Sequence, residues 1–252
     1  MPNEKYEANR FFLKDTIRQQ IDFSSTAQNQ RVPAPPLQKP CPATAPRINL
    51  PDGPSVLSRL GTLPVAEAIT RRESVREYSH APLTFEELAA LLWATQGVRE
   101  VLSPFCALRT VPSAGARHAL ETYLAVNRVE DLPCGLYRYL PFDGQLAQLA
   151  LDEHIGRKAA MACLGQDFVA RAAVVFFWTT LPARMEWRYD LAAHKVIAID
   201  AGHVCQNLYL AGESLGAGVC AIAAYDQDAC DRLLGVDGDE EFTLYIAAVG
   251  KR

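Results

Sequence analysis

The chain has 252 residues, of which 49% are hydrophobic and 21% are charged, and its formal net charge is −4. This is the composition of an ordinary globular protein. A pI near 5.8 argues against nucleic acid or an anionic membrane as the main partner, because both bind basic surfaces. The sequence starts with polar residues, which argues against a secretory signal. Its longest apolar run, 172–178, is too short to span a membrane. We therefore expect a cytoplasmic protein.

The seven cysteines and five histidines show no spacing that is typical of a metal site. No two cysteines form a CxxC motif, and no histidines form HxxxH or HExxH. The odd number of cysteines instead fits reduced, mostly buried thiols. We predict no metal site.

The first 60 residues differ in composition from the rest. Half of the 16 prolines fall between Pro33 and Pro54. Because proline fixes φ and removes an amide donor, we predict an extended arm here. A short helix is predicted before it, over residues 5–22, and its apolar residues favour an arm that wraps a partner over one that dangles. We therefore divide the chain into an N-terminal extension, 1–60, and a folded domain, 61–252.

Regular elements are predicted after residue 60. Thr84 and Glu87 form a capping box at the start of a helix that Gly97 ends. The pattern further predicts strands at 120–129, 172–180, 218–225 and 242–250, a hairpin at 135–149 with its turn at Asp143-Gly144, and helices at 195–216 and 226–235. Since strands and helices do not alternate strictly, the predicted fold class is α+β.

One motif points to a dinucleotide site and does not fit its context. The segment GAGVCA, 216–221, matches the fingerprint G-x-G-x-x-A. That fingerprint works where it follows a strand and opens a helix, because the pyrophosphate then meets the helix N-terminus. Here it follows a predicted helix and precedes a predicted strand. We therefore do not expect a Rossmann site.

Three arginines surround a serine in RRESVREY, residues 71–78, although the chain as a whole is acidic. A solvated helix end would explain the arginines but not the serine between them. An anion site would explain both, because phosphates bind arginine forks and hydroxyl donors.

Several segments, in this order, resemble the nitroreductase superfamily of flavoproteins, and most of all its SagB-type branch, which includes the thiazoline and oxazoline dehydrogenases. They are RRESVREY, VPSAGARHALETYL, GLYRY, WRYDLAAHK, IDAGHVCQNLYLAGESLGAGVCAIAAYD and the terminal AAVGKR. The resemblance implies a mixed or antiparallel sheet flanked by helices, a bound FMN, and an intertwined homodimer with both active sites at the interface. It implies a small-molecule or peptide-derived substrate, with NAD(P)H as a candidate electron donor.

The resemblance also implies which residues bind the cofactor. Arg72, Ser74 and Arg76 match the motif R-x-S-x-[RK], which contacts the phosphate, the ribityl chain and the flavin edge. Lys251 and Arg252 would add charge at the same phosphate, and a frayed terminus is the alternative for them. The remaining implied flavin contacts are Ser113, Gly115, and the backbone amides of Ala223 and Ala224.

The segment WRYDLAAHK departs from the azoline dehydrogenases, which carry a Lys-Tyr pair where this chain has Arg188-Tyr189. Arginine stays protonated and cannot act as a base, which puts azoline oxidation in doubt. Tyr189 can still transfer a proton, helped by the field of Arg188, and an aromatic residue at a subunit interface is the alternative. Two functions remain open. One is an FMN-dependent oxidoreductase that oxidises azolines or reduces nitro, quinone or enone groups; the other is a non-catalytic flavin-binding subunit that acts only with a partner protein.

Overall fold

The computed structural model describes residues 4–252. In this part of the chain the strands are β1 (Arg47–Asn49), β2 (Val98–Ser103), β3 (Cys106–Arg109), β4 (Leu120–Val126), β5 (Gly135–Leu140), β6 (Gln145–Leu151), β7 (Val174–Thr180), β8 (Ala217–Ile222) and β9 (Phe242–Lys251). Seven of them form one sheet in the order β1-β6-β5-β4-β7-β9-β8, and all neighbours are antiparallel. β2 and β3 form a separate antiparallel hairpin.

Helices cover both faces of the seven-stranded sheet. The α-helices are α1 (Glu7–Leu13), α2 (Gly53–Leu60), α3 (Val65–Arg71), α4 (Phe85–Gln96), α5 (Ile155–Ala162), α6 (Asp167–Arg171), α7 (Ala183–Tyr189), α8 (Ala193–Ser214) and α9 (Gln227–Leu234). α4 and α8 pack in the hydrophobic cluster on one face, and α5, α6 and α9 in the cluster on the other. The predicted α+β class, with an antiparallel sheet flanked by helices, is confirmed.

Alternation along the central strands explains why both faces are covered. Leu124 and Phe176 point to the α4 and α8 side, whereas their neighbours Tyr123 and Phe177 point to the α5, α6 and α9 side. All four side chains are buried. Strands that are apolar on both faces require a layer of helices on each.

The sequence features that begin and end helices and turns lie where they were predicted. Thr84 and Glu87 form both bonds of the capping box. Gly144 and Gly216 have φ of 61° and 68°, the left-handed conformation typical of a hairpin turn and of a glycine just beyond the end of a helix, here α8. The hairpin of β2 and β3 was not predicted.

The N-terminal extension differs from its prediction. The single helix expected over 5–22 is wrong: α1 ends at Leu13, and a 3₁₀ helix, Thr16–Gln20, follows. The sequence favoured an arm that wraps a partner. In the structure the proline-rich arm instead packs against the domain of its own chain. Lys39 bonds to Glu121 and Glu241, and β1 pairs with β6 at the sheet edge.

Among residues 4–252, no helix is both long enough and apolar enough to cross a membrane. All seven cysteines are free thiols, and Cys163, Cys205, Cys220 and Cys230 are buried.

Candidate functional site

The segment that follows α3 carries the predicted phosphate ligands. The amide of Val75 donates to the carbonyl of Val219 on β8 at 2.9 Å, and Ser74 forms a parallel bridge with Val219. This pairing holds the segment along the free edge of β8. Arg72 and Ser74 contact Tyr209 of α8, and Arg76 follows them in the same segment. We call Arg72, Ser74, Arg76 and Tyr209 the arginine corner.

The two arginines of the corner are cations without a counterion. The guanidinium of Arg72 lies 5.3 Å from the ring centre of Tyr209, and that of Arg76 lies 5.8 Å from the ring of Phe168. Neither forms an ion pair with any residue between 4 and 252. Arg71, in contrast, bonds to Glu67 at 2.8 Å. The positive charge of Arg72 and Arg76 is therefore free to bind an anion.

Tyr209 joins the parts of this corner through hydrogen bonds. It was not identified as a site residue from the sequence. Its hydroxyl lies 2.9 Å from Ser74 Oγ and accepts a hydrogen bond from the amide of Ala221 at 2.8 Å. Its ring is buried against the sheet. A tyrosine in a mostly apolar helix is usually a core residue, so nothing in the sequence separated Tyr209 from its neighbours.

The two terminal cations are both paired with carboxylates. Arg252 bonds to Glu213, which is one turn beyond Tyr209 on α8, and lies 3.6 Å from Glu73, the neighbour of Arg72. These contacts place Arg252 at the arginine corner. Lys251 bonds instead to Glu87 at the start of α4. A phosphate at the corner would share Arg252 with Glu213.

The predicted amide contacts follow directly after β8. Ala223 and Ala224 are both exposed. Neither of their amides donates to another residue between 4 and 252, whereas the carbonyl of Ala224 accepts from Gln166 Nε2 at 2.9 Å. Two exposed amides without acceptors suit a ligand that presents hydrogen-bond acceptors.

The remaining predicted residues, together with Asp200, which was not predicted, form a second group. We call it the loop cluster: Ser113, Gly115, Arg188, Tyr189 and Asp200. Gly115 has φ of 58°, and a Cβ atom at this position would lie 2.7 Å from both Arg188 Nε and the Tyr189 hydroxyl oxygen. Only glycine allows this approach. The Tyr189 hydroxyl has no hydrogen bond to any residue between 4 and 252, so it is available to a ligand.

Buried polar groups hold the loop in an unusual conformation. Ala116 and His118 have φ of 52° and 48°, which is rare for residues other than glycine. Ser113 Oγ accepts from the His118 amide at 3.0 Å. Burial raises the pKa of Asp200, and bonds to the Ser113 hydroxyl and the Ala114 amide oppose that effect. Strain of this kind is common at functional sites.

Two further groups of the loop are buried. Burial lowers the pKa of His118 to about 3, helped by the nearby positive charge of Arg109. Arg117 is also buried, and its guanidinium lies 4.8 Å from the ring centre of Trp187. Arg117 is therefore a structural residue of the loop.

The loop cluster and the arginine corner are joined to different parts of α8. Asp200 contacts the loop and Tyr209 contacts the corner. Nine helical residues correspond to about 13 Å and two and a half turns, so the two groups lie on opposite sides of the helix. One subunit does not bring all the predicted residues together.

Comparison with known proteins shows the family to which this chain belongs. The model of the nitroreductase family matches residues 69–251. A protein of Methanocaldococcus jannaschii, described as a nitroreductase, is 32% identical over 205 residues, which are 81% of this chain and 96% of that protein.

Crystal structures described as nitroreductases have the same fold. One from Ralstonia eutropha has a TM-score of 0.67 and 25% identity, over 87% of this chain and 98% of its own. One from Anabaena variabilis has a TM-score of 0.65 and 28% identity over 83% of this chain, and the match spans 42% of that longer chain. The chain described here belongs to the nitroreductase family, whose members are oxidoreductases.

Proposed function

We propose that this protein is an FMN-dependent oxidoreductase that acts as a homodimer. The observation that carries the proposal is the pair of uncompensated cations Arg72 and Arg76, which flank the hydroxyl of Ser74 in a chain of the nitroreductase family. A terminal phosphate monoester carries close to two negative charges and accepts several hydrogen bonds, so it matches this set of groups.

The residues next to the arginine corner fit the rest of such a cofactor. The exposed amides of Ala223 and Ala224 suit the polar edge of a flavin ring, and alanine side chains leave room for a planar ring system. Tyr209 fixes the distance between the two parts, because its hydroxyl bonds to Ser74 on one side and to the Ala221 amide on the other.

A second copy of the chain would complete the site. The face of α8 that the sheet does not cover is exposed at Ala198, Ile199, Gly202, His203 and Gln206. A Cβ atom at Gly202 would meet nothing within 4 Å, so a second helix has room to approach. In an antiparallel pair of α8 helices crossing near this face, the loop cluster of one subunit would lie beside the arginine corner of the other. Each FMN would then lie between two subunits.

When bound, FMN supplies the hydride and electron chemistry. The chain's own residues would hold the substrate and move the proton. Tyr189 carries a free hydroxyl that can donate a proton to a substrate that has gained electrons. Arg188 stays protonated, so it stabilises negative charge on the substrate but removes no proton. Gly115 lets both side chains approach the loop that closes the site.

This pair of residues favours reduction over azoline oxidation. Oxidation of an azoline ring requires a base that accepts a proton from carbon, and Arg188 cannot supply one. Reduction of a nitro, quinone or enone group builds negative charge on oxygen, which a guanidinium and a phenol both stabilise. We therefore propose a conjugated electron acceptor of this kind as the substrate, with NAD(P)H as the electron donor.

The test begins with the purified protein as isolated. Heat-released cofactor should run as FMN on chromatography, and the protein should oxidise NADH or NADPH in the presence of menadione. Sedimentation should show a dimer. Bound FMN without turnover of menadione, a nitroarene or an enone would support a flavin-binding subunit that needs a partner. FAD as the main cofactor, or a flavin-loaded monomer, would overturn the proposal.

A further inference from the structure

The N-terminal arm packs against the helix that carries the Arg188-Tyr189 pair. Residues 26–32, which we call the clip, pack against α7. The amide of Gln28 donates to the carbonyl of Trp187 at 2.9 Å, and Trp187 Nε1 donates to the carbonyl of Val32 at 2.8 Å. The clip therefore holds Trp187, the residue before Arg188, by both its backbone and its side chain.

The same clip reaches Arg188 directly. Arg188 Nη1 donates to Gln28 Oε1 at 3.2 Å. Among residues 4–252, no carboxylate forms an ion pair with Arg188. Its guanidinium lies 5.6 Å from the ring centre of Tyr189 and close to Gly115. A free arginine side chain has many rotamers, so this one bond selects among them.

The last turn of α7 is held by the clip together with contacts of its own: Tyr189 packs against the hydrophobic core, and Glu186 bonds to His194 at 2.8 Å. The helix has seven residues, of which Arg184 and Met185, near its start, are buried. It ends at Tyr189 and is followed by Asp190, whose φ is 49°. Between the clip and α7 lies an open cavity of about 470 Å³, lined in part by Thr26, Trp187 and Leu191. Beside this open space, the bond to Gln28 is a contact that can orient the guanidinium of Arg188.

The clip itself is stabilised by bonds within the arm. Asn29 Nδ2 donates to the carbonyl of Phe23 at 2.6 Å, and Gln30 Nε2 donates to the carbonyl of Ser24 at 2.9 Å. Further along, Arg109 and Arg138 bond to carbonyls of residues 37–40 and fix the arm to the domain. The clip is thus a formed structure that is anchored on its far side.

We propose that Gln28 is a positioning residue for the Arg188-Tyr189 pair, so that the N-terminal arm forms part of the active site. This inference rests on the proposed function, because it assigns Arg188 and Tyr189 to the substrate. The amide oxygen of Gln28 orients the guanidinium of Arg188 beside Gly115, and the guanidinium in turn keeps its charge next to the Tyr189 hydroxyl.

Three single variants of the FMN-loaded dimer test this role. Gln28→Ala removes the acceptor, and we expect kcat with menadione to fall about 10-fold, since a hydrogen bond to a charged group is typically worth about one factor of ten or more. KM should change less than about twofold, and the FMN content should stay the same. Gln28→Glu keeps an acceptor for Arg188 and should restore most of kcat. Gln30→Ala is the matched control, because its amide bonds only within the arm.

A second measurement does not depend on turnover. The guanidinium NMR signal of Arg188, assigned through its loss in Arg188→Lys, should be sharp in the parent protein and broadened in Gln28→Ala. If the protein binds FMN but turns over no acceptor, this signal still tests whether Gln28 orders Arg188. Wild-type kcat and a sharp signal in Gln28→Ala would overturn the proposal. Equal losses in Gln28→Ala and Gln30→Ala, or no rescue by Gln28→Glu, would also overturn it, because the clip would then matter only for folding.

Discussion

The hydroxyl of Tyr209 lies 2.9 Å from Ser74 Oγ and joins α8 to the segment that carries Arg72 and Arg76. The same hydroxyl accepts from the amide of Ala221, two residues before the exposed amide of Ala223. A single oxygen atom therefore sets the distance between the proposed phosphate contacts and the proposed flavin contacts.

Tyr209→Phe should weaken FMN binding about 10-fold while the protein stays folded. The change frees Ser74 and leaves the half-buried amide of Ala221 without an acceptor, which costs about 1–3 kcal/mol. Flavin titration of the apo-protein measures the effect. Tyr137→Phe is the control, since it removes a tyrosine hydroxyl that bonds to the carbonyl of Pro133 on the far part of the sheet. Equal FMN affinity in parent and Tyr209→Phe would contradict the bridging role.

Gly115→Ala and Gly144→Ala separate backbone strain from crowding. Both glycines have nearly the same φ, 58° and 61°, but a Cβ atom at Gly144 would meet nothing within 4 Å. Each change should cost about 1–2 kcal/mol of unfolding free energy for the left-handed conformation. Gly115→Ala should in addition push Arg188 and Tyr189 aside and lower kcat at least 10-fold. Thermal unfolding and turnover measured together would show whether the two variants differ only in turnover, as we expect.

Tyr189→Phe should lower turnover by roughly 10²-fold, the low end of general acid–base contributions. The FMN content should not change, because the hydroxyl of Tyr189 contacts neither arginine of the corner. Steady-state kinetics with menadione and flavin absorbance measure the two quantities. Unchanged turnover would assign Tyr189 to the subunit interface.

The two terminal residues should have separable roles. Arg252→Met should weaken FMN binding by about 10-fold or more, because it removes a charge-assisted bond and leaves the carboxylate of Glu213 near the phosphate. Lys251→Met should leave FMN affinity unchanged and lower the unfolding free energy by about 1–3 kcal/mol, because Glu87 then loses its partner. Flavin titration and chemical denaturation test both. Equal loss of FMN affinity in the two variants would place both side chains at the phosphate.

His118 should make the fold sensitive to acid. Its pKa is lowered to about 3 in the folded chain, mainly by burial, whereas an unfolded histidine titrates near 6.5. The unfolded state therefore binds the extra proton first, and stability falls as pH drops below about 6.5 toward 3. At pH 5 the loss is about 2 kcal/mol, at about 1.4 kcal/mol per pH unit.

The variant His118→Asn should remove this acid dependence, since asparagine tolerates the left-handed conformation and does not titrate. His80→Asn, at an exposed position, is the control. Denaturant unfolding at pH 7 and pH 5 measures the difference. A parent protein that loses no more stability than His118→Asn over this range would show that His118 is protonated when folded.

The sequence was sufficient for most of the fold because the signals were local. The capping box at Thr84 and Glu87, the left-handed glycines 144 and 216, and the apolar strands of the sheet all follow from neighbouring residues. α7 could not be predicted in the same way, because Arg184 owes its burial to Glu121, 63 residues earlier in the chain. The arm was predicted to wrap a partner because of the apolar residues that precede it. Its anchors on the domain, Arg109 and Arg138, lie far away in sequence and gave no local signal.

The residues of the candidate site also differ in whether a local motif or only a long-range contact reveals them. Arg72, Ser74 and Arg76 stand out within one short motif, and the loop with Ser113 and Gly115 within another. Tyr209, Gln28 and Asp200 act only through contacts between distant segments, and each has a residue type that is ordinary where it stands. Such residues can be found only once the chain is folded.

The bond between Lys39 and Glu241 joins residues that are 202 positions apart. Closing so long a loop costs entropy that local contacts do not repay, so contacts of this kind form late in folding. A chain leaving the ribosome has made its N-terminal arm long before Glu241 and the last strand exist. The part of the arm around Lys39 can therefore dock only after the last strand has been made.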